Sequence, residues 1–592
     1  MSDERKILVH RIQKALDLGD EKSVRQAFLK AFDILPDDLL LQAKWAEYLL
    51  GIAAPEALEV SVRAYRRAAA RPDIQLALCC QMFHSGYKKK AHELLPRRNK
   101  GESVNHLFFR LDMASDRQDT QKARELCNLI LLSAELTEAQ LVTLAKKGKQ
   151  IQLSDVVLAV YQRLAGRPKA SPLDHARLLA AYMNEHAEDA AYHHLSRLPK
   201  EMIKHPAIID QHAKLCLLRG ENDTAYKLLL ALLELTPENP DVWVALSELA
   251  PVGELDGCIK QCEQSLHKQT NPKARTIMLF PLGAMYERLA VCDKAFDCYR
   301  RGNDRLKASY VEDGRSYRAK EQEVLHDRIC DFFPADLFDA HSDTARPLEP
   351  FTPTPIFIVG MPRSGTSLLE RVLASLDGVA AGGENPGLGK IAYEHLQQLQ
   401  RRQSVLPVNI STAIWQKMRN RYASDLKTTA RFITDKLPQN YRNLGWALQM
   451  FPDARIIYLR REPCDLAWSI YKRAFRPTFS YSADLRDLAH AIMMCERYMR
   501  HWVTVAPYRI LTVSYEKLVQ TPDTVSKEVA DHCGLVWDNS CLSPETLDIP
   551  CHTLSKVQVR QPISSIGIGQ WRAYETYLHP FIEQMELYGL KR

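Results

Sequence analysis

The residues able to do chemistry in this chain gather in its C-terminal part. The stretch Pro355 to Val359 is β-branched or aromatic after its first position, and it runs into Gly360. A loop holding Pro362, Arg363 and Gly365 comes next, and then Leu368, Leu369, Val372, Leu373 and Leu376 recur at helical spacing. Strand, tight loop and helix in that order turn the loop amides of Ser364, Gly365, Thr366 and Ser367, with a helix N-terminus, toward one point. Geometry and dipole make that point an anion site. The spacing Gly360-x4-Gly365 is that of a nucleotide-binding P-loop, but Thr366 stands where the lysine should be. A kinase or ATPase needs that lysine on its terminal phosphates. Here the loop's cation is Arg363, which suits an anhydride with a different terminal group.

Further polar groups come after each later strand signal. Phe432-Ile433-Thr434 leads into Asp435-Lys436, and Arg455 to Leu459 leads into Arg461 and a helical segment bearing Ser469 and Arg473. The strand signal Arg509 to Val513 leads into Tyr515-Glu516. Helical segments at Tyr441 to Met450 and Ala483 to Val505 separate these strands. The alternation predicts a parallel sheet with helices on both faces and its ligands at the carboxyl ends of the strands. Ser469 and Arg473 stand at i and i+4, which places them on one helix face. With Arg461 they offer two guanidiniums and a hydroxyl, a set suited to a phosphate dianion.

Pro362-Arg363-Ser364-Gly365-Thr366, with the later motifs in the same order, resembles the sulfotransferases that use 3′-phosphoadenosine 5′-phosphosulfate (PAPS). In particular it resembles the tetratricopeptide-repeat sulfotransferases and their protein-tyrosine relatives, from about Pro355 to Leu590. The resemblance implies that Arg363 and the amides of Ser364, Gly365, Thr366 and Ser367 hold the 5′-phosphosulfate. It implies that Lys436 stabilises the leaving group and that Arg461, Ser469 and Arg473 bind the 3′-phosphate, with Tyr515 near the cofactor. Sulfuryl transfer to a hydroxyl also needs a proton acceptor. Gly382-Gly383-Glu384 falls 21 residues after Arg363, where an ungapped match puts the catalytic glutamate of the tyrosyl enzymes, so Glu384 is the candidate base.

Ser555 to Pro562 resembles the loop that closes over the adenosine 3′-phosphate. Gln561 replaces the family's lysine there, which leaves Ser555 and Arg560 as its cofactor-binding candidates. Other departures bear on the acceptor. Pro386 stands where the tyrosyl enzymes carry an arginine, and Ala381 and Thr434 where they carry paired cysteines, although Lys390 keeps a basic position.

The first half reads as helix almost throughout and repeats itself. Gly220, Ala225, Leu229, Leu232 and Pro237 sit at the offsets of an about 34-residue helix-turn-helix repeat, and Trp243 opens the next unit. Gly19, Val24, Phe28, Ala31 and Pro36 repeat the pattern, as do Leu282, Gly283, Tyr286, Ala295 and Tyr299. Between about 100 and 200 the pattern degenerates, and pairs of short helices are expected there. These residues resemble tetratricopeptide repeats, whose stacks present concave surfaces to peptides. A basic run between Arg63 and Lys100 could steer an acidic peptide. Residues from Gly302 to about Phe338 are expected to pack the solenoid onto the C-terminal domain.

At 592 residues the chain is long enough for two or more domains, and 46% hydrophobic with 26% charged residues is ordinary for a globular protein. A net charge of +7 does not imply nucleic acid. The charged start lacks an apolar leader, and no run of roughly 18 apolar residues occurs. The 14 cysteines form neither zinc spacing nor a disulfide framework, so the expected compartment is the cytoplasm.

The expected architecture is therefore an all-α tetratricopeptide-like solenoid over 1–340, a proline-rich linker over 341–354 and a P-loop-like α/β sulfotransferase domain over 355–592. The expected reaction consumes PAPS and releases 3′-phosphoadenosine 5′-phosphate (PAP) without a metal. The expected acceptor is a tyrosine hydroxyl on a peptide or protein docked by the repeats. A carbohydrate or small-molecule hydroxyl is the alternative, and an inactive binding scaffold is the alternative of another class. Neither a membrane span nor a nucleic-acid partner is expected, and the oligomeric state is not legible.

Overall fold

Among the described residues, helices run in succession up to Phe338, and one parallel sheet succeeds them. This is the arrangement of the computed structural model, which describes residues 3–96, 102–117, 119–133, 135–338, 348–401, 410–424, 426, 428–547 and 561–589. The hairpins form where small residues allow close helix pairing. Asp3–Leu18 and Glu21–Ile34 meet across Gly19, with Val24, Phe28 and Ala31 buried. Pro206–Arg219 and Asn222–Leu235 meet across Gly220, whose φ of 79° ends the first helix in the left-handed region. In the hairpin of Pro272–Arg288 with Cys292–Glu312, a Cβ at Gly283 would fall 2.8 Å from the Tyr299 ring. These hairpins are consistent with tetratricopeptide-like repeats. In the degenerate middle, Val104–Asp116 pairs with Thr120–Leu131, and Glu138–Gln150 with Ser154–Ala165. Several cations of the basic run are paired, Lys88 with Asp116 and Lys90 with Glu93 among them.

The chain packs as two compact units, Met1–Glu185 and His186–Arg592. Hairpins from the second unit share a core with the sheet. Trp243, Tyr299 and Phe333 join one cluster with Phe357, Trp446, Trp468 and Trp502. Polar contacts run along the same seam: Asn303 Nδ2 donates to the Tyr471 carbonyl at 2.8 Å and the Tyr310 hydroxyl to the Phe475 carbonyl at 2.7 Å. Of the expected linker, residues 341–347 lie outside the described residues.

The sheet has five parallel strands, β1 Thr354–Gly360, β2 Val379–Ala380, β3 Phe432–Asp435, β4 Arg455–Arg460 and β5 Ile510–Ser514, in the order β2-β3-β1-β4-β5. The two-residue β2 is too short to leave a period in the sequence, and it was not expected. Alternation along the strands divides the core. Phe357 and Val359, in register with Ile456 and Tyr458, face the helices Leu444–Met450, Pro463–Tyr471 and Leu485–Val505. Ile356 and Ile358 face the other way, onto Thr366–Ala374 and Pro522–Cys533.

Phe333, at the end of the helix Ala319–Phe332, is fully buried between Trp446 and Trp502, with ring centroids 4.7 and 5.8 Å away. Phe333→Ala should cost about 3–5 kcal/mol in denaturant unfolding of the second unit. A loss below about 1 kcal/mol would show that this seam does not hold the repeats to the sheet.

Candidate active site

β1 delivers the anion loop to the carboxyl edge of the sheet. Gly365, at φ 100°, has the Tyr515 ring so close that a Cβ would fall 2.5 Å from Cδ2, so both backbone and packing demand glycine. Thr366 and Ser367 open the helix Thr366–Ala374, and their amides have no intrahelical acceptor. The Ser364 hydroxyl is buried with no hydrogen-bond partner, an orphan donor inside the loop.

Three guanidiniums converge beside it. Arg363 Nε donates to Ser469 Oγ at 3.3 Å. Arg461 donates from its two terminal nitrogens to the carbonyls of Arg363 (2.9 Å) and Gly567 (2.6 Å), and its guanidinium lies 4.6 Å from the Tyr515 ring centroid. Its Nε is buried without a partner. Arg473 Nη1 donates to Glu248 Oε1 at 2.6 Å. The helix ends at Tyr471, so Arg473 lies just beyond the face it was expected to share with Ser469, in a turn closed by its amide on the Ile470 carbonyl. Burial, and then the charges of Arg473 and Arg461, lower the ionisation of Arg363 to about 9. Arg363 therefore stays cationic near neutral pH, and among the described residues Glu248, on Arg473, is the one carboxylate within hydrogen-bond reach of these guanidiniums.

The other end of the site is built on β3. Lys436 is fully buried, and its Nζ donates to Glu384 Oε1 at 2.7 Å, while the Glu384 side chain remains about half exposed. The glycines before Glu384 make this approach possible. A Cβ at Gly382 would fall 2.1 Å from the Thr434 carbonyl oxygen, and the Lys436 amide donates to the Gly383 carbonyl at 2.8 Å. Thr434 Oγ1 accepts from the Gly382 amide at 3.1 Å and donates to Glu370 at 2.9 Å, tying this segment to β3. Burial raises Glu370, against the opposing charge of Lys436. Burial pushes Asp435 up to about 7 against a hydrogen bond from Tyr422, with Glu370 adding to the rise.

The structure thus brings Arg363, Ser364, Gly365, Thr366, Ser367, Arg461, Ser469, Arg473 and Tyr515 to one loop cluster, and pairs Lys436 with Glu384. Ser555 and Arg560 lie outside the described residues. Sequence reasoning missed four supports. Glu248 holds Arg473, and Glu287 accepts from Trp468 Nε1 at 3.1 Å and Lys472 Nζ at 2.9 Å. Asp465 accepts from the amides of Gly569 (2.6 Å) and Trp571 (3.2 Å), and Glu516 accepts from the Glu462 amide at 2.8 Å. Only Glu516, beside Tyr515, had a local signal.

Residues 355–539 match the model of the sulfotransferase family. The chain is 30% identical over 361 residues to an uncharacterized protein of Aquifex aeolicus, covering 59% of this chain and 46% of that one. It is 24% identical over 238 residues to a protein-tyrosine sulfotransferase of Drosophila melanogaster, covering 36% and 46%. Among solved structures, the sulfotransferase domain of the Synechococcus PCC 7002 olefin synthase aligns with 21% identity and a TM-score of 0.30 over 41% of this chain and 98% of that one. The chain spans about half the length of the first two relatives.

Asp435 supplies a test of the electrostatics around Lys436. Its folded-state ionisation is raised, so the stability it contributes is full below its ordinary range and is lost as pH rises through about 7. Melting curves should show wild type at its best relative to Asp435→Asn at about pH 4, with that margin shrinking as the pH rises and gone above about pH 7. An unchanging difference would mean that Asp435 stays ionised.

Proposed function

Residues 355–539 form a sulfotransferase-family domain homologous to protein-tyrosine sulfotransferases, and from this premise we propose that the chain moves a sulfuryl group from PAPS to a tyrosine hydroxyl of a peptide or protein. One observation carries the reading: the guanidiniums of Arg363, Arg461 and Arg473, with Glu248 their one carboxylate partner among the described residues, gather by an orphan loop hydroxyl, and a buried lysine is paired with a half-exposed glutamate. A donor with anionic groups at both its 5′ and 3′ ends fits that set.

PAPS supplies an activated sulfate on a phosphate leaving group. The loop amides 364–367, Ser364 and Arg363 bind its 5′ end, and Arg461, Ser469 and Arg473 bind the 3′-phosphate. ATP, which lacks that phosphate, leaves the second set unpaired. Lys436 counters the charge that grows on the leaving phosphate oxygen as the S–O bond breaks. Glu384, exposed toward solvent on the same ion pair, takes the acceptor proton as the new O–S bond forms. Transfer to the acceptor is direct, with no covalent enzyme intermediate. Tyrosine as acceptor is supported by the Glu384 spacing and by the likeness to the fly enzyme. Docking of the polypeptide falls to the repeat hairpins.

Incubation with labelled PAPS and a tyrosine-containing peptide pool should place label on tyrosine, and none on O-methyltyrosine peptides. Glu384→Gln should lower kcat by about 10²–10⁴-fold while PAP affinity changes only a few-fold. Label confined to saccharides or small molecules would refute the tyrosine assignment, and turnover unaffected by Glu384→Gln would refute the base.

A further inference from the structure

A second guanidinium site lies away from the donor cluster. The 3₁₀ segment Pro438–Arg442, just past β3, ends on Arg442. This residue lines a cavity of about 270 Å³ with Ser316, Tyr317, Gln322, Thr478, Ser480 and Tyr481, and with the rim pair Arg318 and Glu321. None of these residues belongs to the cluster around Arg363 and Lys436.

Arg442 has an unusual set of neighbours for an inward cation. Its Nε donates to the Tyr441 hydroxyl at 3.2 Å, and its guanidinium lies 5.5 Å from the Tyr441 ring centroid. Among the described residues it forms no ion pair and no other hydrogen bond. The single carboxylate of the cavity, Glu321, is exposed and engaged by Arg318 at 2.8 Å. An arginine cannot shed its proton to escape this position, and half-buried Arg442 keeps its charge at the cavity wall. With Nε occupied by Tyr441, the terminal nitrogens are left for a group inside the cavity. Hydroxyls of Ser316, Thr478 and Ser480 and the Gln322 amide add donors at the wall. That combination matches the planar or tetrahedral oxygens of an acid group.

We propose that the Arg442 cavity is an oxyanion-binding site, separate from the donor cleft, which takes the carboxylate or sulfate of a small ligand. The volume admits one such head group with a short attached chain. The terminal nitrogens of Arg442 grip the oxygens, and the wall hydroxyls complete the shell.

Thermal-shift titrations of the full chain with sulfate and with glutarate, at constant ionic strength, test this. The Arg461→Ala background disables the donor cleft as a competing anion site. In that background at least one anion should raise Tm saturably, and the tighter one names the head group. Adding Arg442→Gln should weaken the response at least about tenfold, as loss of a charge-assisted bidentate contact does. Thr478→Trp, at an exposed rim position, should give the same loss by closing the mouth, and it serves if Arg442→Gln fails to fold. A saturable shift that survives both changes, or none with either anion in the Arg461→Ala background, overturns the proposal.

Discussion

Three guanidiniums held together, with Glu248 the one carboxylate bonded to them among the described residues, are the constraint on which the site depends. Two unit charges about 5 Å apart repel by about 3 kcal/mol at an effective dielectric of about 20, so such a cluster persists only if the fold enforces it. Here the fold does so from several directions. The carbonyls of Arg363 and Gly567 fix Arg461, the Tyr515 ring supports its face, and Ser469 and Glu248 hold the other two. Burial first, and then the charges of Arg473 and Arg461, depress the Arg363 ionisation to about 9. An anion bound there would relieve the repulsion.

The repeat hairpins of the second unit take part in this confinement. Glu248 and Glu287 reach the same segment, one on Arg473 and the other on Trp468 and Lys472. Burial pulls the Lys472 ammonium down against the attraction of Glu287, so that ion pair is enclosed rather than solvated. Removing one partner of such a pair leaves an uncompensated charge. The helices that carry Glu248 and Glu287 therefore support this cation cluster directly. Phe333, wedged between Trp446 and Trp502, supplies the apolar counterpart of these contacts.

The legible part of the sequence was local. Gly360, Gly365 and the unbroken apolar run from Ile356 to Val359 specify strand, loop and helix within a short window, and β3, β4 and β5 each announce themselves by β-branched runs. Lys436 and Arg461 could be placed because a parallel sheet brings the ends of its strands to one edge. β2 could not be read, since two residues carry no period. Glu248 and Glu287 were invisible for a different reason. They stand 225 and 185 positions from Arg473 and Lys472, and on their own helices they look like ordinary surface acids. The i, i+4 reading of Ser469 and Arg473 put both on a helix that ends two residues before Arg473, because a helix terminus is set by its cap and not by spacing.

The central claim is that this cation cluster was shaped for a nucleotide phosphorylated at both the 5′ and 3′ positions. Calorimetry of PAP against adenosine 5′-phosphate, in wild type and Arg461→Ala, addresses it most directly. Wild type should prefer PAP by roughly tenfold to a hundredfold, the equivalent of one charge-assisted contact set, and Arg461→Ala should erase most of that preference. Equal affinity for the two nucleotides in wild type, or a preference untouched by the substitution, would contradict the account.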